Sequence, residues 1–293
     1  MEYCIKNENL QIVVSTKGAE LQSIKNGAGV EFLWQGDDST WKDRAINLFP
    51  YIARLTEGKY TYKNKTYEMP IHGFASTSEF ELIEHQQNRL VFMIKSDSET
   101  KKMYPFEFLF FIEYELVENK LNITYRVENK DNKQMYFGVG GHPGFAIPRT
   151  KEIEFEDYFL EFETIADTYQ VGMSEDCFVT GKDKQYPLKN GKYLELSHSL
   201  FDQDAIILKN MSSSVILNSD KDPYKVRVCY PDMKYLGLWH WPRTEVNYIC
   251  IEPWTSLPSR KSIVEDIEQQ ENLISLDAGK IYKNTWSIEI LKR

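Results

Sequence analysis

Phe106-Glu-Phe-Leu-Phe-Phe-Ile-Glu-Tyr-Glu-Leu-Val117 and, after Glu118-Asn119, Lys120-Leu-Asn-Ile-Thr-Tyr-Arg-Val-Glu128 form the stretch that decides the fold. Both halves alternate apolar and polar residues with a period of two, and both are rich in aromatic and β-branched residues, which is typical of strands. Glu118-Asn119 separates them as a short polar turn. The stretch therefore predicts an antiparallel hairpin whose strands are near the upper end of normal length.

The same pattern recurs along the chain and predicts an all-β protein. Two further hairpins are expected, one at Tyr60–Met69 with Asn64 at its tip and one formed by Phe80–His85 and Arg89–Lys95. More strands are predicted at Glu154–Glu163, Tyr193–Leu196, Ala205–Lys209, Ser214–Leu217, Lys225–Tyr230, Tyr235–Trp239, Tyr248–Ile251 and Trp286–Leu291. So many antiparallel strands must pack face to face or close on themselves. A large two-sheet sandwich is the leading prediction, with a distorted barrel as the alternative.

No internal repeat or linker divides the sequence, so residues 1–293 are predicted to form a single domain. The acidic segment Glu265–Glu271 is expected to be a solvated loop or a short helix. Four cysteines, none in a C-x-x-C pair, predict reduced thiols that behave as small buried hydrophobes.

Charge and hydropathy restrict the partners. The formal net charge is −9, and the pI of about 5.2 argues against a nucleic-acid or anionic membrane partner. The N-terminus shows no secretory signal, and the longest apolar stretch is interrupted by three glutamates, so no membrane span is predicted. These features predict a cytoplasmic protein that acts on a small neutral molecule.

Histidines and one glutamate are the candidates for chemistry. His85 and His198 are predicted at the surface, and no two histidines have the local spacing of a metal motif, so no metal is expected. His72, between Pro70 and Gly73, is predicted at a strand end or in a loop. His142 lies in Gly138-Val-Gly-Gly-His-Pro-Gly-Phe145, which indicates close backbone approach or, equally, a tight bend with a hydrogen-bonded histidine.

Glu252 ends the apolar run of Tyr248-Ile-Cys-Ile-Glu-Pro-Trp254. A carboxylate in such a place must be solvated, paired or functional, and partial burial would raise its pKa toward that of an effective base. Arg54, after the apolar run from Asn47, either binds hydroxyl or carboxylate oxygens with its planar guanidinium group or is a plain surface residue. Trp239 and Trp254 offer aromatic faces that suit a sugar as well as a core. Phosphate loops, G-x-S-x-G elbows and G-x-G-x-x-G motifs are absent from the sequence, and no cofactor is predicted.

Four of these motifs, in order, carry a family resemblance: Asn47–Arg54, Ile71-His-Gly-Phe74, Gly141-His-Pro-Gly-Phe145 and Cys250-Ile-Glu-Pro-Trp254. The sequence resembles the aldose 1-epimerase (galactose mutarotase-like) family over nearly its whole length, especially the LacX-like bacterial branch. The resemblance implies a large antiparallel β-sandwich, a sugar substrate and no cofactor. It also implies that His142 is the acid that protonates the ring oxygen and that Glu252 is the base that deprotonates the anomeric hydroxyl.

Further roles are implied by the same resemblance. His72 and Arg54 match positions that bind the sugar, and an aspartate that holds a hydroxyl corresponds to Asp202 or Asp204, of which Asp204 is favoured. The assembly is expected to be a monomer or a homodimer. Two alternatives remain: a sugar-binding protein without turnover, and an epimerase of a hexose 6-phosphate. The second would need rim cations, for which the candidates are Arg44, Arg243, Arg260 and Lys261.

Overall fold

The computed structural model describes all 293 residues, and β-strands dominate it. The strands are β1 (Glu2–Lys6), β2 (Leu10–Ser15), β3 (Leu21–Asn26), β4 (Ala45–Leu48), β5 (Lys59–Tyr62), β6 (Lys65–Glu68), β7 (Glu81–His85), β8 (Arg89–Lys95), β9 (Phe108–Val117), β10 (Lys120–Asn129), β11 (Met135–Phe137), β12 (Gly140–Ala146), β13 (Tyr158–Phe162), β14 (Tyr169–Gln170), β15 (Lys184–Gln185), β16 (Tyr193–Glu195), β17 (Ile206–Lys209), β18 (Ser214–Ser219), β19 (Tyr224–Cys229), β20 (Tyr235–Trp239), β21 (Tyr248–Trp254), β22 (Glu265–Asp266), β23 (Ile274–Leu276) and β24 (Ile281–Lys292). One α-helix, α1 (Thr100–Met103), and short 3₁₀ turns at Thr56–Gly58, Ala75–Thr77, Phe155–Asp157 and His198–Phe201 complete the chain. None of these helices has the length and apolar character needed to cross a bilayer.

Two large sheets form the body of the protein. The nine-stranded sheet has the order β16-β13-β18-β19-β24-β10-β9-β8-β7, and the seven-stranded sheet has the order β15-β14-β17-β20-β21-β12-β4. Smaller sheets join β1-β2-β3, β22-β5-β6 and β11-β23. Neighbouring strands pair antiparallel except β22 and β5, which pair parallel. The predicted all-β class and large antiparallel architecture are confirmed.

The hairpin of β9 and β10 is the centre of the nine-stranded sheet. Its register runs from Lys120↔Val117 to Asn129↔Phe108, so the chain turns at Glu118-Asn119, where Glu118 has a φ of 53°. Alternate residues such as Phe110 and Tyr125 point to the buried face, as a period-two pattern requires. The other two predicted hairpins are formed by β5 with β6 and by β7 with β8.

The two large sheets pack face to face, and contacts between β12 of one and β24 of the other show how closely. A Cβ added at Gly141 would lie 2.4 Å from Cζ2 of Trp286, so only a glycine allows this approach. Buried apolar side chains between the sheets form one cluster of 64 residues that extends from Ile5 to Ile290. This core fixes the position of the seven-stranded sheet from behind.

Asn47 on β4 ties the same two sheets together by hydrogen bonds. Its Nδ2 donates to Oη of Tyr114 at 3.1 Å, and its Oδ1 accepts from Oη of Tyr125 at 2.9 Å. The side chain also donates to the carbonyl of Ala19 at 3.0 Å. A buried amide whose nitrogen and oxygen both have hydrogen-bond partners has a defined orientation. Asn47 therefore fixes β4 against the hairpin of β9 and β10.

Three local predictions are wrong. Glu265 is buried, pairs with Tyr60 in the parallel bridge, and forms an ion pair with Arg260 at 2.8 Å, so this end of Glu265–Glu271 is not a solvated loop. His198 is only half exposed because its ring stacks on Phe155. All four cysteines are free, as predicted, but Cys4 is exposed, Cys177 and Cys229 are half-buried, and only Cys250 is buried.

Candidate active site

The outer face of the seven-stranded sheet forms the floor of a pocket. Across the sheet, Ile46 pairs with His142 and Ile207 pairs with Gly237, while Gly237 also pairs with Glu252. The register between β12 and β21, with Gly140↔Trp254 and Gly144↔Cys250, places His142 directly opposite Glu252. Side chains opposite each other on neighbouring antiparallel strands point to the same face and touch. Strand pairing therefore brings together two residues that are 110 positions apart.

Glycines on β12 make room around His142. A Cβ at Gly144 would lie 2.7 Å from the ring of Trp41, and one at Gly140 would lie 2.8 Å from the ring of Trp254. Neither glycine has a positive φ, so neither is required by a special backbone conformation. Both are required because other groups approach the backbone closely. The first of the two interpretations of this motif is therefore confirmed, and the tight bend is not formed because Gly140–Ala146 is a strand.

The imidazole of His142 and the carboxyl of Glu252 meet on the pocket floor. Nε2 of His142 lies 3.1 Å from Oε2 of Glu252, and both side chains are more than nine-tenths buried. This contact does not have hydrogen-bond geometry, so Oε2 of Glu252 has no hydrogen-bond partner. The other ring nitrogen of His142, Nδ1, is also buried without a partner. Buried polar atoms without partners are costly, and such atoms inside a pocket are available to a ligand.

The surroundings move both pKa values toward the neutral forms. Burial, with a smaller effect of the nearby His72, holds the pKa of His142 well below its usual 6.5. Burial and the neighbouring Asp204 carboxylate hold the pKa of Glu252 well above its usual 4.5. Both shifts therefore favour the uncharged forms, a neutral imidazole at His142 and a protonated carboxyl group at Glu252.

His72 approaches this pair from a loop, as predicted, and its backbone has a φ of 65°. Its ring centroid lies 5.6 Å from that of His142. Nδ1 of His72 accepts a hydrogen bond from the backbone N–H of Ala53 at 3.2 Å, so the ring proton is on Nε2. Burial, and to a lesser degree the charge of Arg54, lowers the pKa of His72 to about 4. His72 is thus a neutral donor at neutral pH.

Asp204 and Arg54 lie on the wall around His72. Oδ2 of Asp204 accepts a hydrogen bond from Sγ of Cys177 at 3.1 Å, and Oδ1 accepts one from its own neighbour, the N–H of Ala205. Asp202 also lines the pocket, but its charge acts on the buried His240 and not on His142 or Glu252. Geometry thus supports the preference for Asp204 as the residue closer to the chemistry.

Strained backbone is concentrated around the pocket. Five lining residues other than glycine have positive φ values: Ala53 (54°), His72 (65°), Cys177 (64°), Asp204 (75°) and Arg243 (57°). Each such conformation costs on the order of 1 kcal/mol or more and persists only where the surrounding structure enforces it. The wall of the pocket is therefore held in a fixed shape at some cost to stability.

Tryptophans line the pocket. Trp239 meets His142 edge to face at 5.6 Å between ring centroids, and Trp254 is buried beside Glu252 with its Nε1 unpartnered. Trp41 lies closer still, at 4.9 Å from His142. No local pattern marked Trp41 or Cys177 as a site residue, because each reaches the pocket through contacts with residues distant in the chain. All of the predicted site residues line this one cavity, namely Arg54, His72, His142, Asp202, Asp204, Trp239, Glu252 and Trp254.

The pocket has a volume of about 940 Å³ and opens to solvent. It lies within the size range of small-molecule sites and places aromatic rings beside a few convergent polar groups. Aromatic rings of this kind suit the C–H faces of a sugar, and the polar groups among them suit its hydroxyls.

Known proteins resemble this chain over its full length. The aldose 1-epimerase family model matches residues 1–285. The plasmid-encoded protein LacX of Lactococcus lactis subsp. lactis is 32% identical over 289 residues, which cover 94% of this chain and 96% of LacX. A galactose mutarotase related enzyme from Lactobacillus acidophilus has a TM-score of 0.95 at 33% identity, covering 100% of this chain and 98% of that one.

A second solved structure, a galactose mutarotase-like protein from Lactobacillus casei, has a TM-score of 0.94 at 29% identity and covers 99% of this chain and 100% of its own. Sequence and fold therefore agree. The chain is a sugar epimerase that belongs to the aldose 1-epimerase family.

Proposed function

We propose that the protein is an aldose 1-epimerase that interconverts the α and β anomers of a neutral aldohexose, with His142 and Glu252 as its acid–base pair. One observation carries the proposal: a buried imidazole and a buried carboxyl group, with Nε2 and Oε2 3.1 Å apart, lie together on the floor of an open pocket. A cytoplasmic location, a single domain and a monomeric or homodimeric state remain predictions of the sequence.

The reaction needs one acid and one base on the same hemiacetal. Glu252 as carboxylate takes the proton of the anomeric hydroxyl while His142 as imidazolium gives a proton to the ring oxygen, and the bond between the anomeric carbon and the ring oxygen breaks. Rotation about the bond between the first and second carbons exposes the other face of the aldehyde. Reclosure, with the two proton transfers reversed, yields the other anomer and restores the pair.

The proton count of the pair suits this sequence of steps. A pair that shares one proton has the same overall charge whether His142 or Glu252 holds that proton, and the two groups exchange it by way of the sugar hydroxyls. Burial favours the uncharged arrangement in the free pocket, and sugar hydroxyls beside the pair favour the charged one. His72, as a neutral Nε2–H donor, and the guanidinium of Arg54 are suited to stabilise negative charge on the ring oxygen.

The charges of the pocket favour a neutral sugar over a hexose 6-phosphate. Its lining includes the carboxyl groups of Asp43, Glu175, Asp202, Asp204 and Glu252 but only two guanidinium groups, those of Arg54 and Arg243. Of the four rim cations considered from the sequence, only Arg243 lines the pocket. The others are engaged elsewhere: Arg44 with the carbonyl of Gln22, Arg260 with Glu265 and Lys261 with Asp176.

Magnetisation exchange by NMR between the anomers of glucose, galactose and their 6-phosphates tests the proposal. With purified protein and no cofactor, we expect faster exchange of at least one neutral sugar and a lower kcat/KM for its 6-phosphate. Arg243→Ala serves as the matched variant, since a phosphate-dependent enzyme would lose efficiency for the phosphate alone. Sugar-induced changes in tryptophan fluorescence without faster exchange would contradict the proposal and indicate a sugar-binding protein.

A further inference from the structure

Cys250 lies beside the catalytic pair and has no part in the proposed reaction. It precedes Glu252 by two residues on β21, so the two side chains point to the same face of the sheet. The thiol is fully buried on the pocket side, in a small cluster with Trp41, Val246 and Tyr248. The ligand atoms of His142, Cys250 and Glu252 all lie within 4.8 Å of one another.

These three groups are the donor types that zinc prefers. Zinc binds imidazole nitrogen and carboxylate oxygen at about 2.0–2.2 Å and thiolate sulfur at about 2.3 Å, in a tetrahedral arrangement. The 3.1 Å between Nε2 of His142 and Oε2 of Glu252 already matches two ligands of one tetrahedral ion. The sulfur of Cys250, within 4.8 Å of the other two ligand atoms, is the third donor.

An unpartnered atom points to a ligand here independently of the clustering. Oε2 of Glu252, the oxygen that faces Nε2 of His142, has no hydrogen-bond partner although its side chain is only 1% exposed. An ion reaches the three groups through the open pocket that His142 and Glu252 line. Thiolate in the donor set selects Zn²⁺ or Cd²⁺ over Mg²⁺ and Ca²⁺, which prefer oxygen ligands.

We propose that His142, Cys250 and Glu252 form an inhibitory binding site for a thiophilic divalent cation, Zn²⁺ or Cd²⁺. Binding replaces the thiol proton, which leaves to the solvent, and occupies the nitrogen and the oxygen that would otherwise exchange protons with the sugar. The cation and the sugar therefore exclude each other. Only the inhibition rests on the proposed function, because the binding itself depends on the three side chains alone.

Cadmium titration of the purified full-length protein tests the site directly. A thiolate bound to Cd²⁺ absorbs in the ultraviolet by charge transfer, and calorimetry gives the stoichiometry. We expect one ion per chain with thiolate absorption in the wild type, loss of that absorption in Cys250→Ser, and its retention in Cys229→Ser, whose half-buried thiol lies on the nine-stranded sheet. Cys250→Ala is a second variant that lacks the thiol, and circular dichroism of each variant checks that it is folded.

Inhibition supplies the second readout. Zn²⁺ should slow anomer exchange competitively with sugar, a chelator should restore it, and Cys250→Ser should weaken the inhibition on the order of tenfold or more, about 1.4 kcal/mol. Absence of thiolate absorption, or absorption that survives Cys250→Ser and disappears in Cys177→Ser, would overturn the site. Cadmium binding to a protein that does not exchange anomers would leave the site standing and refute the proposed function instead.

Discussion

The two large sheets are built from similar strands but put their faces to opposite uses. On the nine-stranded sheet, the inward residues of β9 and β10 are aromatic or aliphatic and merge into the main core. On the seven-stranded sheet, the outward face carries Gly140, His142, Cys250 and Glu252, where alternation alone would place polar surface residues. The nine-stranded sheet supplies most of the apolar packing. That packing offsets the free-energy cost of burying polar groups on the seven-stranded sheet.

Buried polar atoms without a hydrogen-bond partner occur on both sheets, including Asn284 Oδ1 and Trp286 Nε1 on β24, but the site gathers several of them in one place. Three unpartnered buried atoms, Nδ1 of His142, Oε2 of Glu252 and Nε1 of Trp254, lie together on the pocket floor. Substitutions on the pocket face should therefore change the chemistry more than the stability, and substitutions on the nine-stranded sheet should do the reverse. Four experiments test this contrast.

Glu252→Gln should produce the largest effect, and on activity alone. Anomer exchange should fall by roughly 10²–10⁴-fold, the usual scale for loss of a general base. The free energy of unfolding should not decrease, because the amide keeps the shape of the side chain and removes a buried ionisable group. NMR exchange and urea unfolding measure the two quantities. Exchange at the wild-type rate would show that Glu252 is not the base.

Phe92→Ala should show the opposite behaviour. Phe92 is fully buried on β8, packed against Tyr3 and Tyr114 at 6.1 and 6.4 Å between ring centroids. Loss of the ring should lower the free energy of unfolding by about 3–5 kcal/mol. The exchange rate per folded molecule should stay unchanged, since the cavity lies away from the pocket. A loss of exchange with little loss of stability would contradict the division between the sheets.

Gly141→Ala should affect both properties, because this residue lies where the sheets meet. The new Cβ would be 2.4 Å from Cζ2 of Trp286, and such overpacking costs about 1–3 kcal/mol. Since β12 also carries His142, exchange should slow as well. Gly27→Ala is the matched control, because its Cβ would meet nothing closer than 3.6 Å and its φ is not positive. Equal effects of the two substitutions would count against the close packing.

Acid should weaken the fold in part through His72, the smallest of the four effects. The unfolded chain binds a proton at His72 below about pH 6.5, whereas the folded protein does so only at a pKa of about 4. The contribution of uncharged His72 to the free energy of unfolding is therefore complete above pH 6.5 and is lost as the pH falls toward 4. Urea unfolding at several pH values should show a shallower loss in His72→Asn. His85→Asn, at an exposed histidine, should leave the pH dependence as in the wild type.

Local sequence patterns predicted the strands well, because each pattern reports only on its own neighbours. Period-two alternation located β9 and β10, and the turn at Glu118-Asn119, to within a few residues. The sequence also singled out the glycine-rich motif Gly138–Phe145, although its glycines could not show which groups approach them. Their partners, Trp41 and Trp286, lie about a hundred residues or more away in the chain, and local patterns carry no information on such contacts.

Long-range pairing explains the failures in the same way. Glu265 belongs to an acidic stretch that is typical of solvent, and only the parallel bridge to Tyr60 and the ion pair with Arg260 bury it. His198 lies in a serine-rich turn, and only contact with Phe155 and His240 covers it. The site residues themselves were found through motifs, but their convergence on one pocket is a property of the sheet register.

The central claim is that His142 and Glu252 act as one proton-sharing unit, and a double-mutant cycle on NMR anomer exchange tests it most directly. Groups that act as a unit are strongly non-additive. His142→Asn, Glu252→Gln and the double variant should therefore all show losses of similar size, with sugar still bound as judged by tryptophan fluorescence. Losses that multiply in the double variant, or a single variant that exchanges anomers at the wild-type rate, would contradict the account.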